Sequence, residues 1–168
     1  TIYKQPEKRK NLLFVNQGVN EEGIPVFEEL AEAYGIADDG NTTQAAFFDY
    51  DLDGDLDLYL LTNVIDTKLP GSYREKILDG TALNNDRLYR NDGPGPNGHP
   101  TFTDVSRKAG ILIEGFGLGI TVSDINLDGW PDIYISNDYI SNDLLYVNNQ
   151  DGTFTNRIEE YLNHTSHS

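Results

Sequence analysis

Residues 49–57 read Asp-Tyr-Asp-Leu-Asp-Gly-Asp-Leu-Asp, five carboxylates at alternate positions with one glycine among them. Like charges packed this closely repel unless a cation sits between them, and the hard cation that takes roughly six to eight oxygen ligands is calcium. The pattern returns at residues 124–132 as Asp-Ile-Asn-Leu-Asp-Gly-Trp-Pro-Asp. In each copy positions 1, 3 and 5 (Asp49, Asp51 and Asp53; Asp124, Asn126 and Asp128) present side-chain oxygens to one point. The glycine at position 6 permits a sharp turn at positive φ. Position 7 (Asp55, Trp130) offers its main-chain carbonyl, and position 9 (Asp57, Asp132) closes the cage. Two calcium ions are expected, one per loop. An EF-hand opens in the same way but needs a glutamate at position 12 and flanking helices. Position 12 is Leu60 or Ile135 here, and an apolar strand follows each loop. The remaining alternative, two Asp/Gly-rich turns that bind nothing, is disfavoured by the matched pair.

The loops should differ in affinity. The first offers four carboxylate ligands, Asp49, Asp51, Asp53 and Asp57, with Asp55 adding charge; the second offers three and the neutral Asn126. Ligand charge favours the first loop, while Pro131 stiffens the second. The first is expected to bind more tightly. Trp130 is the only tryptophan, and its place in the second loop suggests that its emission reports that loop alone.

The chain has 168 residues, enough for one domain with a core. A net charge of −16, from 28 acidic and 12 basic residues, argues against nucleic acid or an anionic membrane as partner. No apolar run approaches a membrane span, so no membrane insertion is expected. There is no cysteine, hence neither disulfide nor thiol chemistry. Residues 1–10 are polar and basic, an arm rather than a signal peptide. Calcium loops of modest affinity suit a secreted, periplasmic or cell-surface protein, where calcium is plentiful.

Short strands are expected over residues 11–16 and 25–30, one helical turn over 31–36 ending at Gly35, and strands over 44–48 and 56–61. A shift of 75 residues then lays Leu13 on Leu88, Asn16 on Asn91, Pro25 on Pro100, Phe27 on Phe102 and Gly35-Ile36 on Gly110-Ile111. The same shift superposes the two acidic loops, and a third copy begins at Asp143-Leu144-Leu145-Tyr146-Val147-Asn148. The chain is an internal repeat of short strands. The strand after each acidic loop is apolar at nearly every residue, so it is covered on both faces. Sheets stacked face to face around an axis supply that cover, as in a β-propeller. A parallel β-helix is the rival, but its repeats are much shorter.

Gly115-Phe116-Gly117-Leu118-Gly119, followed by the second acidic loop, by residues 132–138 (DIYISND) and by 142–154 (NDLLYVNNQDGTF), resembles the FG-GAP or VCBS repeat of integrin α-chain propellers and secreted bacterial proteins. The phrases resemble most the cartilage-acidic-protein and UnbV-type propellers. The resemblance covers residues 11 to about 163. It implies calcium held by Asp49, Asp51, Asp53, Asp55 and Asp57 and by Asp124, Asn126, Asp128, Trp130 and Asp132. In the first repeat Asn41-Thr42 stand where Phe116-Gly117 stand, which weakens the strand-entry signature there. The expected fold is all-β, a partial β-propeller of four-stranded antiparallel blades with calcium loops. Its expected parts are an arm (1–10), the tail strands of one blade (11–36), a full blade (44–111) with an insertion at 64–85, and a second full blade (117–163).

A short helix is expected at residues 73–78 within the insertion, which reads as a surface loop that either contacts a ligand or protein or is merely tolerated, and that a turn of about two to four residues could replace. Residues 92–100, rich in Gly and Pro, read as a turn. Asn41-Thr42-Thr43 and Asn163-His164-Thr165 match glycosylation sequons. The three histidines, His99, His164 and His167, stand near no candidate nucleophile or base, and carboxylates bound to calcium are poor proton carriers. The expected function is therefore a non-catalytic, calcium-binding extracellular module for protein or glycan binding or adhesion. Its partners would be the remaining blades of a parent propeller or a second copy. The alternatives are part of a calcium-dependent polysaccharide lyase or hydrolase, or a structural spacer.

Overall fold

The computed structural model describes residues 5–64, 75–138 and 141–162. After a 3-10 turn at Pro6–Lys8 come a hairpin of β1 (Phe14–Val19) and β2 (Pro25–Glu29), then a short helix α1 (Ala31–Tyr34). A four-stranded sheet follows, with β3 (Thr42–Phe48), β4 (Asp57–Thr62), β5 (Arg87–Pro94) and β6 (Pro100–Asp104) adjacent in chain order; α2 (Ser106–Ala109) follows it. The second sheet, β7 (Gly117–Ser123), β8 (Asp132–Asn137), β9 (Leu144–Asn148) and β10 (Phe154–Asn156), has the same order and ends in α3 (Ile158–Leu162). Every pairing is antiparallel. The protein is all-β. Among the described residues no helix is long and apolar enough to cross a membrane.

The strands after the acidic loops are buried as their composition requires. All six residues of β4 are buried. Side chains alternate across a strand, so Tyr59 and Leu61 of β4 join Ile133, Ile135, Leu144 and Tyr146 of the second sheet in one core. Leu58 and Leu60 face the other way and pack with Ala31, Ile36 and Leu13. The first sheet thus lies between the hairpin with α1 and the second sheet. On the far side of the second sheet, Leu145 and Val147 pack with Ile158 of α3. Among the described residues the hairpin has no such cover: Phe14 and Phe27 are 61 % and 55 % exposed, and β1 pairs only with β2.

The sheets approach each other most closely along their first strands, β3 and β7. The Thr43 hydroxyl donates to the Gly117 carbonyl at 3.3 Å, and the Ile120 amide donates to Gln44 Oε1 at 3.1 Å. Farther out, Val105, Ala109 and Ile111, around α2, fill the gap between the sheets. α1 and α2 each end at a left-handed glycine, Gly35 and Gly110. A Cβ on either would press on the carbonyl oxygen of the next sheet's last strand, Phe102 at 2.9 Å or Phe154 at 2.8 Å. The contact from hairpin to first sheet is repeated from first sheet to second.

The expected strand at 11–16 begins later, at Phe14, and β2 ends one residue before its expected end. The helical turn ending at Gly35 is present. In the Gly/Pro-rich stretch, β5 runs on to Pro94 across a bulge before the chain turns.

The insertion departs from its expected form. Residues 75–78 are not helical; Tyr73 and Arg74, with residues 65–72, lie outside the described residues, as do Asn163, His164 and His167. Its second half is built into the protein. The Gly80 amide donates to Leu112 O and the Glu114 amide to Ile77 O. Asn84 and Asn85 are buried, and their side-chain oxygens accept from Val64 N and Ala82 N. Backbone groups taken from water need such partners, so residues 77–85 are not a replaceable surface loop.

Gly117 has no space for a side chain, since a Cβ there would lie 2.4 Å from Leu61 Cγ. Gly117→Ala should therefore overpack the seam and cost about 1–3 kcal/mol. Urea denaturation followed by circular dichroism measures this, and an unchanged midpoint would show that the seam is loosely packed.

Candidate metal centre

The two acidic loops share one hydrogen-bonded frame. In the first, Asp49 accepts the Asp53 amide on Oδ1 (3.1 Å) and the Gly54 amide on Oδ2 (3.0 Å). In the second, Asp124 accepts the Asp128 and Gly129 amides at 3.0 and 2.8 Å. Asp53 Oδ1 takes the Asp55 amide, and Asp128 Oδ1 takes the Trp130 amide. The position-6 glycines lie at φ 98° and 90°. The residues at position 4, Leu52 and Leu127, also adopt positive φ, 58° and 62°. A leucine held there costs about 1–3 kcal/mol. Their side chains are exposed, pointing away from the polar positions on either side.

The position-9 carboxylates anchor each loop to its sheet. Asp57 and Asp132, the first residues of β4 and β8, are fully buried. Asp57 accepts the Tyr50 amide on Oδ2 (3.1 Å) and the Asn91 amide on Oδ1 (2.8 Å); Asp132 accepts the Ile125 and Asn148 amides at 2.9 and 2.8 Å. The side chains of Asn91 and Asn148 then donate back to Leu56 O and Pro131 O, and Asn148 also crosses to Tyr50 O of the first loop at 2.8 Å. Asn91 and Asn148 were not singled out as site residues from sequence. Their signal was the asparagine closing the repeated Leu-Tyr-x-Asn phrase.

The loops differ at position 3. Oxygens of Asp49, Asp51 and Asp57 lie within 4.8 Å of one another, and among the described residues this is the one such acidic group that could hold a metal ion. Oδ1 of Asp51 and Oδ1 of Asp55 are shielded from solvent with no donor. Buried acceptors left unpartnered are costly, and a cation among the converging carboxylates would satisfy that of Asp51. In the second loop Asn126 supplies donors of its own. Its Oδ1 accepts the Asp128 amide (3.0 Å), and its Nδ2 donates to Asp128 Oδ2 (2.8 Å), which also takes Gln150 Nε2 (3.1 Å). The structure thus gathers Asp49, Asp51 and Asp57 around one point with Asp53 and Asp55 beside them. It ties Asp124, Asn126, Asp128 and Asp132 into a frame whose carboxylates already have donors.

Electrostatics follow this difference. Burial pushes Asp57 up to about 6, against the pull of the Asn91 and Tyr50 amides. Burial first, then the neighbouring carboxylates, raise Asp51 and Asp55. Asp128 is held below the usual carboxylate range by the Trp130 amide. Trp130 itself lines a cleft with Tyr50 and Asp51 of the first loop. At the other end of the strands, Tyr59 OH and the Thr62 amide donate to buried Asp86, and Tyr134 OH and the Asn137 amide donate to Asp143. Asp86 is pushed up to about 7 by burial.

No family model matches this chain, and no curated protein matches it.

In metal-free protein the raised pKa of Asp57 means that the folded state holds its proton more tightly than the unfolded chain. That contribution is complete below about pH 4, near the ordinary aspartate value, and is lost as pH rises through about 6. In divalent-free buffer the urea midpoint should fall between pH 4.5 and 6.5, with a shallower slope for Asp57→Asn. A slope unchanged by Asp57→Asn would show that other carboxylates carry the pH dependence.

Proposed function

We propose that this protein is a calcium-stabilised, extracellular binding module built from β-propeller blades of the FG-GAP/VCBS kind. The observation that carries the metal reading is the first loop: three converging carboxylates, one of which, Asp51, keeps a shielded oxygen that has no donor. Calcium suits an all-oxygen set of flexible geometry, whereas magnesium demands a near-ideal octahedron and keeps its waters. Asp49, Asp51, Asp53 and Asp57 would bind through side chains and Asp55 through its carbonyl. In the second loop Asp124, Asn126, Asp128, Trp130 and Asp132 would play the same parts, after the Asn126–Asp128 bond opens. Calcium supplies fixed positive charge among these acids.

The propeller reading is supported by two four-stranded sheets in one strand order, converging along their first strands and separated outward by α2. It is also supported by the repeated step through Gly35 and Gly110, which a rotation about one axis would generate. In that reading β1 and β2 are the outer strands of a further blade, and the exposed edge of β1 takes two strands from the parent chain or a second copy. The described histidine, His99, stacks on Tyr34 at 5.6 Å rather than on an acid. The lyase, hydrolase and spacer readings rest on no particular contact.

The test is thermal unfolding with calcium and with chelator. An ion that binds only the folded chain stabilises by about 2.7 kcal/mol at 100 times Kd, so the midpoint should climb steadily with calcium. Calorimetry should resolve two events, the tighter removed by Asp51→Ala and the weaker by Asp128→Ala. Equal midpoints across a wide calcium range would sink the metal reading. Loss of the weaker event in Asp51→Ala would reverse the order of the loops.

A further inference from the structure

Three asparagines occupy one position of the repeat. Asn16 of β1 stands opposite Phe27, Asn91 of β5 opposite Phe102, and Asn148 of β9 opposite Phe154. Each makes the same local bond, in which Oδ1 accepts the amide two residues on: from Gly18 at 2.7 Å, Gly93 at 2.9 Å and Gln150 at 2.9 Å. Asn91 and Asn148 also donate twice to the strand and loop beside them. Their main-chain amides go to Asp57 and Asp132, both at 2.8 Å, and their side-chain amides to Leu56 O at 3.2 Å and Pro131 O at 3.3 Å. The shared register turns the Asn16 main-chain amide to the open edge of β1, as it turns that of Asn91 to Asp57. Asn16 is exposed, whereas Asn91 and Asn148 are buried. Among the described residues the bond to Gly18 is the one its side chain makes.

The sheet face next to Asn16 is uncovered in the same way. A cleft of about 160 Å³ opens between the chain entering β1 and the first sheet, where Leu12, Leu13, Ala45, Phe47, Leu58 and Leu60 line it. The shift of 75 residues lays Ala45, Phe47, Leu58 and Leu60 on Ile120, Val122, Ile133 and Ile135. In the second sheet those four pack in the core that holds Tyr59 and Leu61 of β4. For the first sheet no strand among the described residues plays the part of β4, and Phe47 is left 48 % exposed.

We propose that the edge of β1 is the docking site of a further β-hairpin with an acidic loop. Its closing aspartate is held by the Asn16 main-chain amide, and the large apolar side chains two and four residues later sit in the cleft. The proposal rests on the propeller reading of β1 and β2 and names what completes them. Both hairpins of this kind in the structure, β3–β4 and β7–β8, meet the neighbouring strand through that aspartate. An open edge accepts an added strand through main-chain bonds alone. The aspartate adds selectivity and register, because an amide bonded to an ionised group is held more strongly than one bonded to a neutral carbonyl. A second copy of this chain does not supply the hairpin, since both of its acidic hairpins are already built into sheets, with all six residues of β4 buried.

The probe is a labelled synthetic peptide of residues 117–138, which carries β7, the second loop and β8. It is titrated with the full chain, in calcium and in chelator, and followed by fluorescence anisotropy. Saturable binding is expected. Asp132→Ala in the peptide should weaken it about tenfold or more, the effect of losing one charge-assisted contact, and the ratio should persist in chelator because the anchor is an amide and not the ion. In the chain, Asn16→Pro removes the amide at an edge position where proline is tolerated, and should also weaken binding. Absent binding, binding that survives Asp132→Ala, or binding unchanged by Asn16→Pro would each overturn the proposal. An Asp132→Ala effect that vanishes in chelator would assign it to the ion and overturn the anchor. Light scattering keeps the two readings apart. A dimer that the peptide does not disperse gives the edge to a second copy, which overturns this occupant and leaves the propeller reading standing; a monomer that binds no peptide removes both.

Discussion

The structure depends on two carboxylates buried without a counter-charge. Asp57 and Asp132 stand, fully buried, at the first position of β4 and β8, where a bare carboxylate is costly. Each is tolerated because two main-chain amides point at it, one from the acidic loop and one from an asparagine of the neighbouring strand, Asn91 of β5 or Asn148 of β9. Hydrogen bonds to an ionised group are worth about 1.5–3 kcal/mol each. The pair of donors therefore fixes where the loop stands relative to the sheet. Loop curvature, the positive φ of Leu52 and Leu127, and the convergence of the remaining acids follow from that anchor.

The anchors also join the two sheets. Asn148 donates its main-chain amide to Asp132 and its side-chain amide to Tyr50 O, so the second sheet holds the first loop. Tyr50 in turn lies near Phe154, with ring centroids 6.0 Å apart, in the core between the sheets. Loop geometry and seam packing are thus one network, and shifts in either are felt by the other. Ion binding in the first loop should on this account stiffen the seam as well as the loop. The insertion shares this logic at the opposite end of the strands, where the side chains of Asn84 and Asn85 accept the Val64 and Ala82 amides.

Much of this was legible in the sequence because repetition exposes spacing. The shift of 75 residues found both acidic loops, the strands after them and the helix-ending glycines, since each is set by local patterning. What it missed depends on partners distant in the chain. Asn91 and Asn148 read as ordinary strand-end residues until the fold brings Asp57 and Asp132 to their amides. Residues 77–85 read as loop because their partners, Leu112 and Glu114, lie some thirty residues on. From sequence the contrast between the loops rests on ligand charge, set against the stiffness of Pro131. The structure adds that Asn126 can satisfy its own neighbour, whereas Asp51 cannot.

The most direct measurement is a crystal structure of the chain grown with calcium and collected where the ion scatters anomalously. The account predicts an anomalous peak inside each acidic loop, with oxygens of Asp49, Asp51, Asp53 and Asp57 at about 2.3–2.6 Å from the first and Asn126 turned away from Asp128 at the second. Asp57 and Asp132 would keep their amide donors. Loops without anomalous density at millimolar calcium, and with Asp51 Oδ1 still unpartnered, would contradict it.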